Sequence, residues 1–349
     1  MRKTILITGS SGLVGSEAVK FFSKKKFNII GIDNNFRKSF FGKEGDVISQ
    51  TKENIKNIKN FKHFNYDISD HKKLSKIFQK FKFDYIFHAA AQPSHDWAKK
   101  NIFLDFRINA VGTLNLLNLM KTYCSKAVFA FISTNKVYGS NPNKLNVYEL
   151  KNRYDLYKKS KNYNGIDEKM NLDDTIHSFF GASKLSADIM TQEFGRNFNL
   201  KTAVFRAGCI TGPNHASVSL HGFLNFLIKC NLEKRPYDII GYKGKQVRDN
   251  LHSYDLVSAV WQYFKKPLKG EIFNIGGGRE NSCSILEAIN KIENITGLKF
   301  KTKIINKPRV GDHRWYITNL NKFRRVFPKW KIKYNLDSII DQIVESYSK

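Results

Sequence analysis

The opening run TILITGSSGLVG joins an apolar strand-like segment directly to Gly9, Gly12 and Gly15, and these glycines open an amphipathic helical stretch, LVGSEAVKFFSKK. Glycine at those points lets the backbone turn tightly and approach a pyrophosphate. The charge of that group then rests on the unpaired N–H groups of a helix start. A G-x-x-G-x-x-G run by itself is weak, but the strand–turn–helix context gives it weight. The alternation continues along the chain. NIIGID, FKHFNYDISD, DYIFHAAA, AVFAFIST and KTAVFRAG read as further strands. HKKLSKIFQKF, FRINAVGTLNLLNLMKTYC and GASKLSADIMTQEFGRNF read as helices. Continuous apolar strands alternating with helices predict a parallel sheet covered on both faces. The fold class is therefore α/β, a doubly wound parallel (Rossmann) sheet. Residues 1–205 are assigned to the nucleotide-binding domain, with a polar excursion over 141–177. Residues 206–349 are assigned mainly to a smaller, interleaved substrate lobe, because EIFNIGG reads as a strand returning to the sheet.

Asp33 ends the second strand. A carboxylate there accepts hydrogen bonds from both ribose hydroxyls and repels a 2′-phosphate, which favours NAD over NADP. Leu13, Val14 and Asn34 complete this cofactor loop. Asp67 and Ile68 are expected to flank the adenine, and Ala89, Ala90 and Ala91 to let the cofactor lie close to the fourth strand.

The net charge of +29 raises the possibility of a nucleic-acid surface. The lysines are scattered, however, and no basic arm or RNA-binding aromatic motif is present. An anionic substrate in a positive cleft is the more economical reading, with an RNA-binding protein as the alternative. No apolar run reaches the length of a membrane span, and the N-terminus lacks a signal-peptide pattern. A cytoplasmic protein with no membrane contact is expected. The four cysteines, Cys124, Cys209, Cys230 and Cys283, are far apart in sequence and read as reduced thiols, and no metal-ligand spacing is found.

The glycine spacing, HAAAQ, INAVGTLNLL, STNKVYG and the final x-x-S-K resemble the extended short-chain dehydrogenase/reductases, the NAD-dependent epimerase/dehydratase family. Within them, STNKVYG, GKQVRDNLHSYD, FNIGGGRENSCSILEA and GDHRWYITNL look most like the CDP-paratose 2-epimerase (CDP-tyvelose epimerase) branch. The likeness runs from about Thr4 to about Lys331. It implies epimerisation of a nucleotide-diphosphate sugar by transient hydride transfer to NAD and back, in surface polysaccharide assembly. It also implies Asn109 at the cofactor, Thr134 as the hydroxyl partner and Lys184 as the lysine that holds the nicotinamide ribose. By analogy, helices such as FRINAVGTLNLLNLM pair into a homodimer.

One position departs from the pattern. The catalytic tyrosine is expected four residues before Lys184, where HSFFGASK places Phe180. Losing a general base costs about 10²–10⁴ in rate. Three accounts stand: a base relocated into the excursion, from Tyr148, Tyr154, Tyr157 or Tyr163, with His177 beside the lysine motif; lysine- or water-mediated proton transfer using Lys184 with Thr134; or a redox-silent NAD-binding protein. An engineered Tyr→Phe change is a further possibility. On the substrate side, Arg248 and Arg309 are the expected diphosphate ligands, because guanidinium forks match phosphate oxygens. Asp312 is expected to hold an arginine or a ribose. Asn135, Lys136, Cys209, Asn214 and His215 are expected to face the sugar nucleotide, Cys209 as a small wall. A dehydratase would want a carboxylate pair directly after Thr134, where Asn135 and Lys136 stand. A related dehydratase, decarboxylase or dehydrogenase remains the alternative enzyme.

Overall fold

The computed structural model describes residues 2–218, 222–308 and 311–347. Seven parallel strands form the central sheet: β1 (Thr4–Thr8), β2 (Asn28–Ile32), β3 (Phe61–Phe64), β4 (Tyr85–His88), β5 (Val128–Thr134), β6 (Lys201–Ala207) and β7 (Glu271–Ile275). Their order across the sheet is β7-β6-β5-β4-β1-β2-β3. Ile5 pairs with Ile29 on one side of β1 and with Tyr85 on the other. The chain thus winds outward in both directions from the β1/β4 boundary, and the crevice at the carboxyl ends of those two strands is where this topology binds ligands.

The alternation of side chains along a strand explains both layers. Ile5 and Ile7 of β1 pack with Ala18, Val19 and Phe22 of α1 (Leu13–Lys24) on one face. Leu6 turns to the opposite face. There it meets α2 (His71–Lys80), α3 (Gly112–Tyr123) and α4 (Ser178–Asn197), through residues such as Leu74, Leu116 and Ala187. α5 (Ser253–Lys265) returns to the first face with Leu256, Val257 and Val260. Burying a side chain such as Phe22 contributes about 1.5–3 kcal/mol. The expected boundary at 205 falls inside β6, and α5 and β7 rejoin the sheet layers from far along the chain.

A second lobe surrounds the strand Val247–His252, which pairs with Cys209–Thr211, Ser282–Ser284 and Trp315–Tyr316. The excursion belongs to this lobe. Val147–Glu149 and Tyr154–Leu156 form an antiparallel hairpin, and the rings of Tyr148 and Tyr157 stack 4.4 Å apart. Asp155 accepts two hydrogen bonds from Arg279, whose guanidinium lies 3.8 Å from the Tyr163 ring centroid.

Arg206 on β6 and Asp188 on α4 form a fully buried pair, with Nε to Oδ2 at 2.9 Å and Nη2 to Oδ1 at 3.0 Å. It locks the helix carrying Lys184 to the sheet. Asp188→Asn would leave a buried guanidinium unpaired. Chemical denaturation is expected to show a loss of about 3–5 kcal/mol.

Candidate active site

A continuous cavity of about 640 Å³ runs from the glycine turn into the second lobe. At one end, Gly9 holds a left-handed φ of +68°. A Cβ on Gly9 would meet Ala90 N at 2.8 Å, and a Cβ on Gly15 would meet Gly9 O at 1.9 Å. The turn is therefore folded on itself and pressed against the end of β4, which only glycine permits. Leu13 and Val14, the first residues of α1, line the cavity beside it. Asp33 accepts from Ser11 N (3.0 Å) and Asn35 N (2.8 Å). Burial raises its pKa, against these N–H groups and the nearby Arg37. Gly12, Leu13, Val14, Asn34, Asp67, Ile68 and Ala89–Ala91 line the same end. A cradle without side chains beside a helix start, with a carboxylate at the next strand end, fits a dinucleotide.

At the cavity's centre lie Thr134, Asn135, Lys136, Phe180 and Lys184. Thr134 ends β5 and its Oγ1 accepts from Lys136 N at 3.2 Å. Gly181 lets α4 approach, since a Cβ there would sit 2.9 Å from Lys136 O. This close packing carries Phe180 and Lys184 to the end of β5. Lys184 Nζ donates to Ile132 O at 2.9 Å and lies 4.1 Å from the Phe131 ring centroid. Burial draws its pKa down to about 7, although Asp188 and Asp105 pull the other way.

Toward the second lobe, Arg248 bonds Asp312, and Lys136 Nζ donates to Gly311 O at 2.8 Å. Burial pushes Lys136 down to about 8. Burial alone would raise Asp312, but Arg248 and Lys136 outweigh it and hold the carboxyl below its ordinary value. Cys209 lines this end with its thiol pushed up to about 11 by burial, the state of a wall rather than a nucleophile. His215 also lines the cavity, and burial lowers it to about 3.

Four expected site residues stand elsewhere. Asn109 is buried behind the wall, accepting from Gln92 N at 2.9 Å and donating to Asp105 and Ser183. It anchors the loop after β4. Tyr163 packs under Arg279 in the second lobe, because its segment is pinned there by the Asp155 pair. His177 Nε2 lies 2.7 Å from the Leu172 carbonyl and does not reach the cavity. Asn214 lies outside the lining, although its neighbour His215 is part of it. Arg309 lies outside the described residues. None of residues 141–177 lines the cavity, so the excursion brings no base to Phe180. His95 and Arg37, which no sequence motif singled out, do line it. The signal for His95 was its place in the loop after the carboxyl end of β4, next to the switch point.

Among the described residues no cluster could hold a metal ion, and no helix is long and apolar enough to cross a membrane.

Residues 5–276 match the NAD dependent epimerase/dehydratase family. The CDP-paratose 2-epimerase of Salmonella typhi is 30% identical, the alignment covering 97% of this chain and 98% of that protein. The dTDP-glucose 4,6-dehydratase of Salmonella typhimurium is 29% identical, with 98% and 92% covered. Among solved structures, Pal from Bacillus thuringiensis superposes with a TM-score of 0.81 at 24% identity, covering 99% of each chain. A UDP-glucuronic acid 4-epimerase from Bacillus cereus, solved with UDP-glucuronic acid and NAD, gives 0.79 at 22%, again covering 99% of each. These two structures share the fold.

Proposed function

Because this chain belongs to the NAD dependent epimerase/dehydratase family, we propose that it is an NAD-dependent epimerase of a nucleotide-diphosphate sugar, acting at carbon 2 of a CDP-sugar. Its cofactor is NAD. The observation that carries the reading is the continuity of one cavity from Asp33, past Thr134 and Lys184, to Arg248. NAD, when bound, supplies reversible acceptance of a hydride from a sugar carbon, so epimerisation ends without net oxidation.

The chain's own residues have distinct tasks. Gly9, Gly12 and Gly15, with the N–H groups of Leu13 and Val14, would hold the pyrophosphate. Asp33 would take the adenosine ribose, and Asp67 and Ile68 the adenine. Lys184 would hold the nicotinamide ribose and add positive charge beside Thr134, whose hydroxyl orients the reacting sugar hydroxyl. Arg248, fixed by Asp312, would bind the substrate diphosphate, with Lys136 neutralising part of its charge and Cys209 and His215 closing the wall. The amide of Asn135 and the ammonium of Lys136 follow Thr134 where elimination of water would require an acid and a base. This favours epimerisation over dehydration. A role in surface polysaccharide assembly in the cytoplasm belongs to the same reading.

Incubation with NAD and a panel of CDP-, UDP- and GDP-sugars, followed by NMR of the sugar protons, tests it. A new epimer without accumulated NADH is expected. NADH accumulation would mark a dehydrogenase, and a 4-keto-6-deoxy product a dehydratase. Asp33→Ser is expected to move the NAD-to-NADP ratio of dissociation constants by about 10–100-fold, since a hydrogen bond to a charged group contributes about 1.5–3 kcal/mol. Titration of both cofactors into both proteins measures the ratio.

We also propose a homodimer. Phe103, 93% exposed, and the exposed Phe106, Val111 and Leu114 lie on helical segments that contact α4, which itself exposes Phe179 and Ile189. Exposed apolar residues on neighbouring helices suit an isologous interface. Phe103→Glu is expected to shift the sedimentation coefficient from dimer to monomer.

A further inference from the structure

The strand Val247–His252 carries Arg248, and side chains along a strand alternate between its two faces. Val247 and Leu251 pack into apolar clusters. Asp249, on the same face, accepts from Gly278 N at 3.0 Å and Thr318 N at 3.1 Å. Arg248 and Asn250, with Gln246 just before the strand, take the other face, and all three line the cavity. Asn250 has no task in the reading above, yet its side chain is fully buried in this row.

The protein provides poorly for this amide. Asn250 Oδ1 is buried and finds no donor among the described residues. Nδ2 reaches only Cys283 Sγ at 3.4 Å and Asn281 O at 3.5 Å. A buried acceptor without a donor is destabilising, and such groups are rare enough in folded proteins to need a reason. The backbone here is fixed. Asn250 N donates to Asn281 O at 2.9 Å, and a Cβ on Gly277 would meet Asn250 O at 2.1 Å. The side chain is not fixed, because its two contacts are long. The amide can turn about its terminal bond and offer its oxygen to a ligand in the cavity.

A diphosphate presents only acceptor oxygens, so it cannot satisfy an acceptor. A hydroxyl can. Asn250 stands two positions beyond Arg248, about 6.6 Å along the strand, and the sugar of a nucleotide-diphosphate sugar is joined directly to the diphosphate. The ladder sets the direction. Asn250 pairs with Cys209, two residues past Ala207, and Ala207 pairs with Thr134. On the other side of Arg248, Gln246 Nε2 donates to Ile240 O, in the strand Tyr237–Ile240. Asn250 therefore lies toward the Thr134 end of the row, and the small Cys209 beside it leaves room for a sugar ring. We propose that Asn250 is a specificity-determining residue that accepts a hydrogen bond from a hydroxyl of the substrate's sugar. The inference rests on the nucleotide-sugar reading above, from which it takes the place of the diphosphate at Arg248. A site built to bond a hydroxyl rejects a ligand that lacks it, because the buried polar group is then left unpaired.

Isothermal titration of NAD-loaded protein with CDP and with CDP-glucose tests it, comparing wild type, Asn250→Leu and Asn250→Ala. In both variants the Kd for CDP-glucose is expected to rise about 10-fold, while that for CDP, which has the diphosphate and no hexose, stays within about twofold. Asn250→Leu without nucleotide is expected to melt no lower than wild type, because an apolar side chain of similar size removes an unsatisfied amide. Asn250→Ala serves if the leucine does not fit. An amide with a purely structural role would lower the melting temperature and spare the Kd. Unchanged affinity for CDP-glucose in both variants overturns the proposal. So does an equal loss for CDP, which would put the amide at the nucleotide. UDP and UDP-glucose are titrated in parallel. If wild type binds only the uridine pair, the cytidine part of the function reading fails, and the same comparison within that pair decides Asn250. A wild type that binds none of the four overturns the nucleotide-sugar reading, and the assignment of Asn250 falls with it.

Discussion

Gly15→Ala is expected to abolish NAD binding. The added Cβ would lie 1.9 Å from Gly9 O and 2.9 Å from Ser10 Cα, both rigid main-chain positions. No flexible side chain can move aside, so the turn itself must open. Overpacking of this kind costs about 1–3 kcal/mol in stability. The larger effect falls on the cofactor, because the opened turn no longer presents the N–H groups of α1 at the right depth. In the wild type, NAD at about 100 times its dissociation constant adds about 2.7 kcal/mol to stability. A thermal melt of the variant is expected to show no shift on adding NAD at the same concentration. A full NAD-induced shift in Gly15→Ala would show that the pyrophosphate does not rest on this turn.

Lys184→Met is the second large change. It keeps most of the volume and removes the amine that donates to the Ile132 carbonyl on β5. Turnover is expected to fall by about 10²–10⁴-fold, the range for removing a group that assists proton transfer. The same variant also carries a pH signature. Burial lowers the folded pKa of Lys184 to about 7, against an ordinary value of 10.5. Between those values the unfolded chain holds a proton that the folded protein has released. Unfolding free energy therefore rises with pH across that window, and the burial penalty is felt in full below pH 7. Lys136, drawn down to about 8, titrates in both proteins. The comparison of wild type with Lys184→Met isolates the contribution of Lys184. Denaturation midpoints measured from pH 7 to pH 10 are expected to climb more steeply in wild type. Parallel slopes would show that Lys184 keeps its proton in the folded state.

Both predictions concern parts of the site that local sequence made readable. The glycine turn is legible because its requirement is local, a strand end, three glycines without side chains and a helix start within twelve residues. Asp33, Asp67 and Ala89–Ala91 follow, because strand ends on one edge of a parallel sheet must face the same crevice. Apolar runs of strand length announced the two-sided sheet for the same reason, since each strand had to be buried on both faces. Phe180 was visible as an anomaly by simple counting from Lys184.

Tertiary structure alone decided what surrounds that anomaly. The polar, tyrosine-rich excursion looked like a source of a new base. Its hairpin instead docks on the second lobe, through Asp155 with Arg279 and a bridge between Ile166 and Thr318. Such contacts join residues more than a hundred positions apart, and no periodicity records them. Asn109 matched a motif yet serves to anchor a loop, because its side chain points into a buried polar cluster. His95 meets Phe180 only because the loop after β4 and the start of α4 converge at the same sheet edge. The order of the strands in space sets that meeting, and two distant segments of sequence cannot reveal it until the sheet has brought their ends together.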